Sequence, residues 1–324
     1  MSSKGTVTAT TLAAACLLAV GAFHSLARAD SGEIQYAELQ PLAAQALLLD
    51  VLALPEGGYV AVGARGHVVL SQEGSEWRQA GTVPTRSTLT SVAEADGKLW
   101  AAGHDSVIIT STDGGEVWTR QYFAPERGQP IMDIRFFDKQ NGIAIGAYGL
   151  AMVTDDGGRN WEDSYVNEDE WHNNALLADG DTMVVAAEAG FTYRSEDHGD
   201  TWETIEMPYP GSMFGVTRTF NECLLVFGLR GNVQESCDEG VSWEELETGT
   251  EASIMGGLFD GQQNVLVGNS GLVLTRRASG DFQVNYHGSG VDFAAVAGLG
   301  NGSYLLVGED GVHHWPEHGD EGAP

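Results

Sequence analysis

Ser111-Thr112-Asp113-Gly114-Gly115-Glu116-Val117-Trp118 has the form Ser-x-Asp-x-Gly-x-x-Trp. The form returns as Thr154, Asp156, Gly158 and Trp161, as Ser195, Asp197, Gly199 and Trp202, and as Ser236, Asp238, Gly240 and Trp243. A shortened form stands at Ser71, Glu73, Gly74 and Trp77. Its chemistry suits a hairpin turn. A short carboxylate accepts hydrogen bonds from backbone N–H groups of its own turn, glycine takes the left-handed position, and tryptophan covers the turn with apolar surface. Outward from the box lie Val107-Ile108-Ile109-Thr110, a Gly-x-x-Gly-type turn that starts at Gly103, then Leu99-Trp100-Ala101-Ala102 and Thr90-Ser91-Val92-Ala93. The first turn position recurs at Gly63, Gly103, Gly146, Ala187, Gly228, Gly268 and Gly308, in steps of 40, 43, 41, 41, 40 and 40. The tryptophans Trp77, Trp118, Trp161, Trp202 and Trp243 keep the same period.

Four short strands in about 40 residues are one β-propeller blade, and self-similarity at that period defines a repeat architecture. The spacing predicts an all-β, seven-bladed β-propeller of four-stranded blades. The seventh unit stops at Gly311-Val312-His313-His314-Trp315 and lacks a fourth strand. Ile34-Gln35-Tyr36-Ala37-Glu38-Leu39 is the spare strand expected to close the ring.

Before the repeats come Lys4, an apolar run from Leu12 to Phe23 and Ala27-Arg28-Ala29. That order reads as a secretory signal over 1–29, with 30–324 forming a single propeller domain. A lipoprotein signal with Cys16 acylated competes, but the apolar run continues past that cysteine. No later run reaches the ~18 apolar residues a membrane helix needs, so no direct insertion is expected, and a periplasmic location is.

The chain of 324 residues carries 46 Asp+Glu against 16 Lys+Arg, a formal charge of −30. That balance opposes binding to nucleic acid or to anionic lipid. At 42% hydrophobic residues the chain is nonetheless globular. Glycine is abundant at 43 residues, as many tight turns require, and three cysteines exclude a disulfide framework.

The boxes resemble Asp boxes, or BNR repeats, which occur in sialidases, other glycoside hydrolases and non-enzymatic propellers, and are structural there. The seven-unit count, the Val-Gly-x-x-Gly turns and the export signal are most similar to the photosystem II assembly/stability-factor family, which has non-photosynthetic bacterial members. The resemblance implies a scaffold that assists assembly of a membrane-protein complex through binding, without chemistry of its own. The fold, the export signal and the lack of an anchor suit an inner-membrane transporter or similar complex as the partner, and a monomer without a cofactor is expected. A sialidase-like or other Asp-box hydrolase is the alternative. Sialidases carry a Phe/Tyr-Arg-Ile-Pro motif before the first box, and nothing of that form precedes Ser71; the twelve arginines after the leader are scattered. The chain is therefore read as no enzyme. His313, His314 and His318 lack a cysteine partner, and the Asp-rich turns lack the carboxylate ladder of an EF-hand, so no metal is expected.

In a propeller, the turn between strands two and three shares a face with the crossover to the next blade, opposite the boxes. Exposed aromatic and charged residues there are what recognition uses. The expected partner-binding residues are Arg65, His104, Tyr148, Trp171, His172 and Arg230. Trp171 stands out, because Glu168-Asp169-Glu170-Trp171-His172 places it behind three acids in a crossover with no strand pattern. A three-residue loop with Gly231 left-handed pairs Gly228 with Asn232 and sets Cys223 opposite Cys237, predicting a cross-strand disulfide in an oxidising compartment.

Overall fold

The computed structural model describes residues 26–27, 32–278 and 280–317. Seven antiparallel sheets follow one another in a ring, each built from consecutive strands, with one short extra strand at the edge of the third. The innermost strands are Leu48–Ala53, Leu89–Ala95, Ile131–Phe136, Asn173–Asp179, Met213–Arg218, Ile254–Phe259 and Phe293–Gly298. Second strands such as Tyr59–Gly63, Lys98–Gly103 and Leu224–Gly228 are almost wholly buried. Both of their faces meet a neighbouring blade, which is why they read as continuous apolar runs rather than as alternation. Outer strands are short and polar, as at Arg78–Gln79 and Glu203–Glu206, which blunts the sheet edges.

Seven buried apolar clusters lie between the blades. The cluster that joins blade seven to blade one holds Leu48, Val51, Ala61 and Val69 against Ala297 and Val307.

The seven-bladed propeller stands as the sequence indicates, but ring closure takes another form. Blade seven has three strands, Phe293–Gly298, Tyr304–Gly308 and Gly311–Trp315, and residues 34–39 form no strand there. They run instead along blades one and two. Ala37 N donates to Val83 O at 2.9 Å, Gln79 Nε2 to Glu38 O at 3.0 Å, and Arg86 Nε to Tyr36 O at 3.0 Å. Blade one's outer strand is only two residues long, and the leading segment packs beside it. A 3-10 turn at Ala43–Gln45 seals blade seven: a Cβ on Gly311 would lie 2.0 Å from Ala44 O.

The leader expected over 1–29 lies outside the described residues, except that Leu26–Ala27 pair with Trp161 and Glu162 at the edge of blade three. His318 also lies outside them.

Cys223 and Cys237 are bonded, with Cα atoms 4.3 Å apart. The register pairs Leu224 with Ser236, so the two cysteines face each other one step beyond. Cys237 lies inside the box of blade five, between Ser236 and Asp238, so the bond ties that box to the turn at Phe220–Glu222.

Candidate functional site

Each box closes on itself through hydrogen bonds. In blade four Ser195 Oγ donates to Asp197 Oδ1 at 2.8 Å and accepts from Gly199 N at 2.9 Å. Asp197 also accepts from Thr201 N at 2.8 Å and Thr201 Oγ1 at 2.6 Å, and Trp202 Nε1 donates to Gly199 O at 3.0 Å. Blades two, three and five repeat the hydroxyl-to-carboxylate bond, from Ser111 to Asp113, Thr154 to Asp156 and Ser236 to Asp238. There Gly115 N, Gly158 N and Gly240 N donate to the same hydroxyls at 3.1, 2.9 and 2.8 Å. All four glycines are buried and left-handed, with φ of 90°, 85°, 89° and 89° in chain order, as expected of that position.

The tryptophans are less uniform than the motif implies. Trp118 Nε1 donates to Gly115 O at 2.7 Å, as Trp202 does to Gly199. The Gly158 and Gly240 carbonyls receive no such bond from Trp161 and Trp243. In blade three Trp100 of blade two lies against the box, its Nε1 donating to Gly157 O at 3.2 Å, and the buried Trp161 Nε1 has no partner in the protein. In blade five Trp243 Nε1 turns to Thr192 Oγ1 of blade four at 3.1 Å. These two tryptophans still cover their turns, but by packing rather than by bonding to them.

The Thr201 hydrogen bonds, with Ser195, hold the Asp197 carboxyl below its usual value. In Asp113, Asp156 and Asp238 burial pushes up, but donors of the turn outweigh it and the net shift is also downward. The carboxylates are consumed by their own turns.

The opposite face carries the seven turns between strands two and three. Their period has a steric origin. A Cβ on Gly63 would lie 2.1 Å from Leu47 O, and one on Gly66 would lie 2.2 Å from Thr85 O, so the chain entering and leaving blade one presses on both glycines. At the tip, six of the seven turns hold a non-glycine residue in the left-handed region: Arg65, Asp105, Tyr148, Ala189, Arg230 and Ser270. That conformation is uncommon for a side-chain-bearing residue. Gly231 is left-handed as expected, and Arg230 before it is left-handed too.

Blade four breaks this frame. Ala187 stands where the other blades have glycine, and the Glu188 N to His172 O hydrogen bond is 3.3 Å. The equivalent bonds, such as Ala64 N to Leu47 O and His104 N to Thr88 O, run from 2.8 to 3.0 Å. The crossover entering blade four therefore stands further from its turn.

That crossover is anchored at both ends. Val166, Asn167 and Asn173 are buried. Asn167 Nδ2 donates to Asn173 Oδ1 at 3.0 Å, and Asn167 Oδ1 accepts from Trp171 N at 3.2 Å. Gly149 N donates to Trp171 O at 3.1 Å, which ties the crossover to the Tyr148 turn. Glu170 is left-handed at φ 56°. What lies between the anchors faces solvent: Glu168, Asp169, Glu170 and Trp171 are exposed. Tyr148 and Tyr165 are more than half exposed, at 55% and 54%. The Tyr148 and His172 rings meet edge to face with centroids 4.8 Å apart, and His172 Nδ1 lies 3.2 Å from Glu188 Oε1. Desolvation, with Glu168 and Asp169 beside it, pushes the Tyr165 phenol up.

Of the six expected residues, Tyr148, Trp171 and His172 thus form one surface. Arg65, His104 and Arg230 are exposed on turns of blades one, two and five, apart from it, and among the described residues no ion pair holds either arginine. Sequence reasoning missed Glu188 as the partner of His172 and left Tyr165 outside the chosen set. His287, in the crossover between blades six and seven, is buried against Phe293 and His313.

The channel was also missed. Asp50 and Asp133 occupy the same position of the inner strand in blades one and three, and each reaches across a blade boundary. Asp50 Oδ2 accepts from Val92 N at 2.9 Å, and Asp133 Oδ2 from Leu176 N at 2.8 Å. Ala175, Gly215, Gly256 and Ala295 fill the matching positions of blades four to seven, so one side of the channel is polar and the other bare. Arg135 neutralises Asp133 at 3.2 Å. Asp50 is lifted to about 6: enclosure within the ring raises it most, and Asp133 adds to this against Arg135 and the Val92 and Val51 N–H groups.

These features define a seven-bladed Asp-box propeller with a hydrogen-bonded, aromatic loop-face surface between blades three and four. The chain belongs to the Photosynthesis system II assembly factor YCF48 family, whose model matches residues 124–320. It is 25% identical over 128 residues to the photosystem II assembly lipoprotein Ycf48 of Synechococcus sp. strain CC9902, a match that spans 38% of each chain. A solved structure described as YCF48 bound to D1 peptide superposes with a TM-score of 0.70 at 18% identity, covering 93% of this chain and 100% of that one. YCF48 from Cyanidioschyzon merolae gives 0.68 at 16%, covering 86% and 97%.

Proposed function

We propose that this chain is an exported, non-enzymatic scaffold that holds a segment of a membrane-protein complex during assembly, through the loop face between blades three and four. The observation that carries the reading is the crossover 166–173, held by Asn167 and by the bond from Gly149 N to Trp171 O, which presents the exposed Trp171 at the Tyr148 turn, with the exposed Tyr165 just ahead of the anchored segment. Ordered aromatic anchors give up little conformational freedom on binding. Membership of an assembly-factor family supports it, as does a family relative solved with a peptide. The exported location rests on the leader, and the relative named as a lipoprotein is consistent with export. A mature protein that starts at Asp30 is the expected intact mass; a diacylglyceryl group on Cys16 would overturn that cleavage site.

The test is capture of partners from detergent-solubilised envelope with wild type and a Tyr148→Ala/Trp171→Ala variant, both checked for folding. A hot-spot anchor costs more than ~2 kcal/mol when truncated, about 30-fold in affinity. The variant should lose the membrane proteins that wild type retains. Equal recovery overturns the assignment, and hydrolysis of aryl glycosides by wild type overturns the non-enzymatic reading.

A further inference from the structure

We infer that this aromatic surface takes a cationic protein segment, with Lys or Arg side chains of the partner seated against the exposed rings of Tyr148, Tyr165 or Trp171. The inference rests on the scaffold reading and specifies the partner's chemistry.

The rings come first. Tyr148, Tyr165 and Trp171 are three of the largest apolar groups the protein leaves exposed, and they are gathered from one turn and one crossover. An exposed aromatic face attracts a Lys or Arg head group through its quadrupole, most strongly for Trp. Charge then decides between occupants. Residues 161–172 hold Glu162, Asp163, Glu168, Asp169 and Glu170 and no Lys or Arg. The nearby Arg127 is already engaged, pairing with Asp163 at 2.8 Å, and the His172 ring faces Glu188 at 3.2 Å. Among the described residues no ion pair reaches Glu168, Asp169 or Glu170. An acidic segment would meet these charges and the field of a chain at −30. A basic segment is steered in by the same field.

Blade four also departs from the repeat where this surface lies. Ala187 replaces glycine, the His172 carbonyl is held off at 3.3 Å, and Glu170 adopts a left-handed backbone. Departures from an otherwise kept local rule concentrate at functional positions.

Three labelled 12-residue peptides of equal apolar content serve as probes, one bearing four Lys, one four Glu and one four Gln. Fluorescence anisotropy is read at 50 and 300 mM salt. The Lys peptide should bind, the Glu peptide should not, and salt should weaken binding because exposed charges are screened. Trp171→Ala and Glu168→Gln/Asp169→Asn/Glu170→Gln should each weaken the Lys peptide about 10-fold. If neither variant changes its affinity, the overall charge alone attracts it and the inference fails. Tighter binding of the Glu peptide, or equal displacement by spermine at matched charge, also overturns it. The same triple variant in the envelope capture separates the two readings. If it recovers the full set of partners that Tyr148→Ala/Trp171→Ala loses, the scaffold stands and the cationic partner falls.

Discussion

The side chain of Asn167 accepts the backbone N–H of Trp171, four residues on, and in the same pose donates to Asn173. One buried amide thus sets the shape of the loop that displays the surface. Asn167→Ala should cost about 1–3 kcal/mol, the usual range when buried partners lose a hydrogen bond. A Glu-specific protease should cut after Glu168 and Glu170 faster in the variant, and partner capture should fall with the fold retained. Unchanged cleavage would show that the loop is held without this amide.

The boxes should separate from binding. Ser195→Ala removes both the donor to Asp197 and the acceptor of the buried Gly199 N–H. A loss of about 1–2 kcal/mol is expected, seen as a lower Tm, with partner affinity unchanged at temperatures where the protein stays folded. Lost binding at unchanged Tm would move the functional face to the boxes.

The pH dependence should have two limbs of opposite sign. The four box aspartates have carboxyl groups held below their usual value, so their contribution is intact above about pH 4 and is lost as pH falls through the depressed values. Asp50 is raised to about 6, so its ionisation opposes folding, and that penalty is relieved as pH falls from above 6 towards 4. Asp50→Asn should therefore flatten the change in Tm between pH 7.5 and pH 5 relative to wild type. Parallel curves would mean that Asp50 ionises without resistance.

Reduction of the Cys223–Cys237 bond should destabilise the protein by about 3 kcal/mol, as expected in the chain-entropy model for a loop of this size. The denatured, unreduced mature protein should titrate no free thiol. Two free thiols would show that the pair stays reduced.

Gln234 is fully buried, and neither Oε1 nor Nε2 has a hydrogen-bond partner in the protein. Gln234→Met keeps the volume and removes the stranded amide. It should raise stability by about 1–3 kcal/mol in a denaturant titration. A drop would place a bridging water on the amide.

The fold was legible because a repeat writes its geometry many times over. The turn at Gly63 and the box at Ser111 each encode one steric or hydrogen-bonding demand, and the period follows. Ring closure was not legible. Ile34–Leu39 has strand-like composition, but whether it pairs with blade seven or lies along blade one depends on what each edge offers, which alternation does not encode. The same limit applies inside the boxes. Gly158 and Gly240 match Gly115 in spacing, yet the indoles beside them go elsewhere, because a neighbouring blade supplies Trp100 in one case and Thr192 in the other. Trp171 was visible as a tryptophan behind three acids. Asp50 was not, because a carboxylate that bonds across a blade boundary has no local sequence pattern in a chain with 46 acids. Ala187 was visible as an exception in the count, but its effect on the His172 carbonyl needed coordinates.

The three-stranded seventh blade has a consequence for how such a protein can change over generations. Among the described residues no strand is lent across the join: the strands of each blade are consecutive in the chain, apart from the two-residue Leu26–Ala27 added at the edge of blade three, and the contact between the last blade and the first is apolar packing of the kind found between any two neighbours. Among the described residues no sheet hydrogen bond spans the join between the last blade and the first. A gene for this ring could be reopened at another crossover, with its old ends joined by a linker, without unpairing a strand. It could also exchange one blade for a relative's in a single recombination event, carrying a new surface into an unchanged frame.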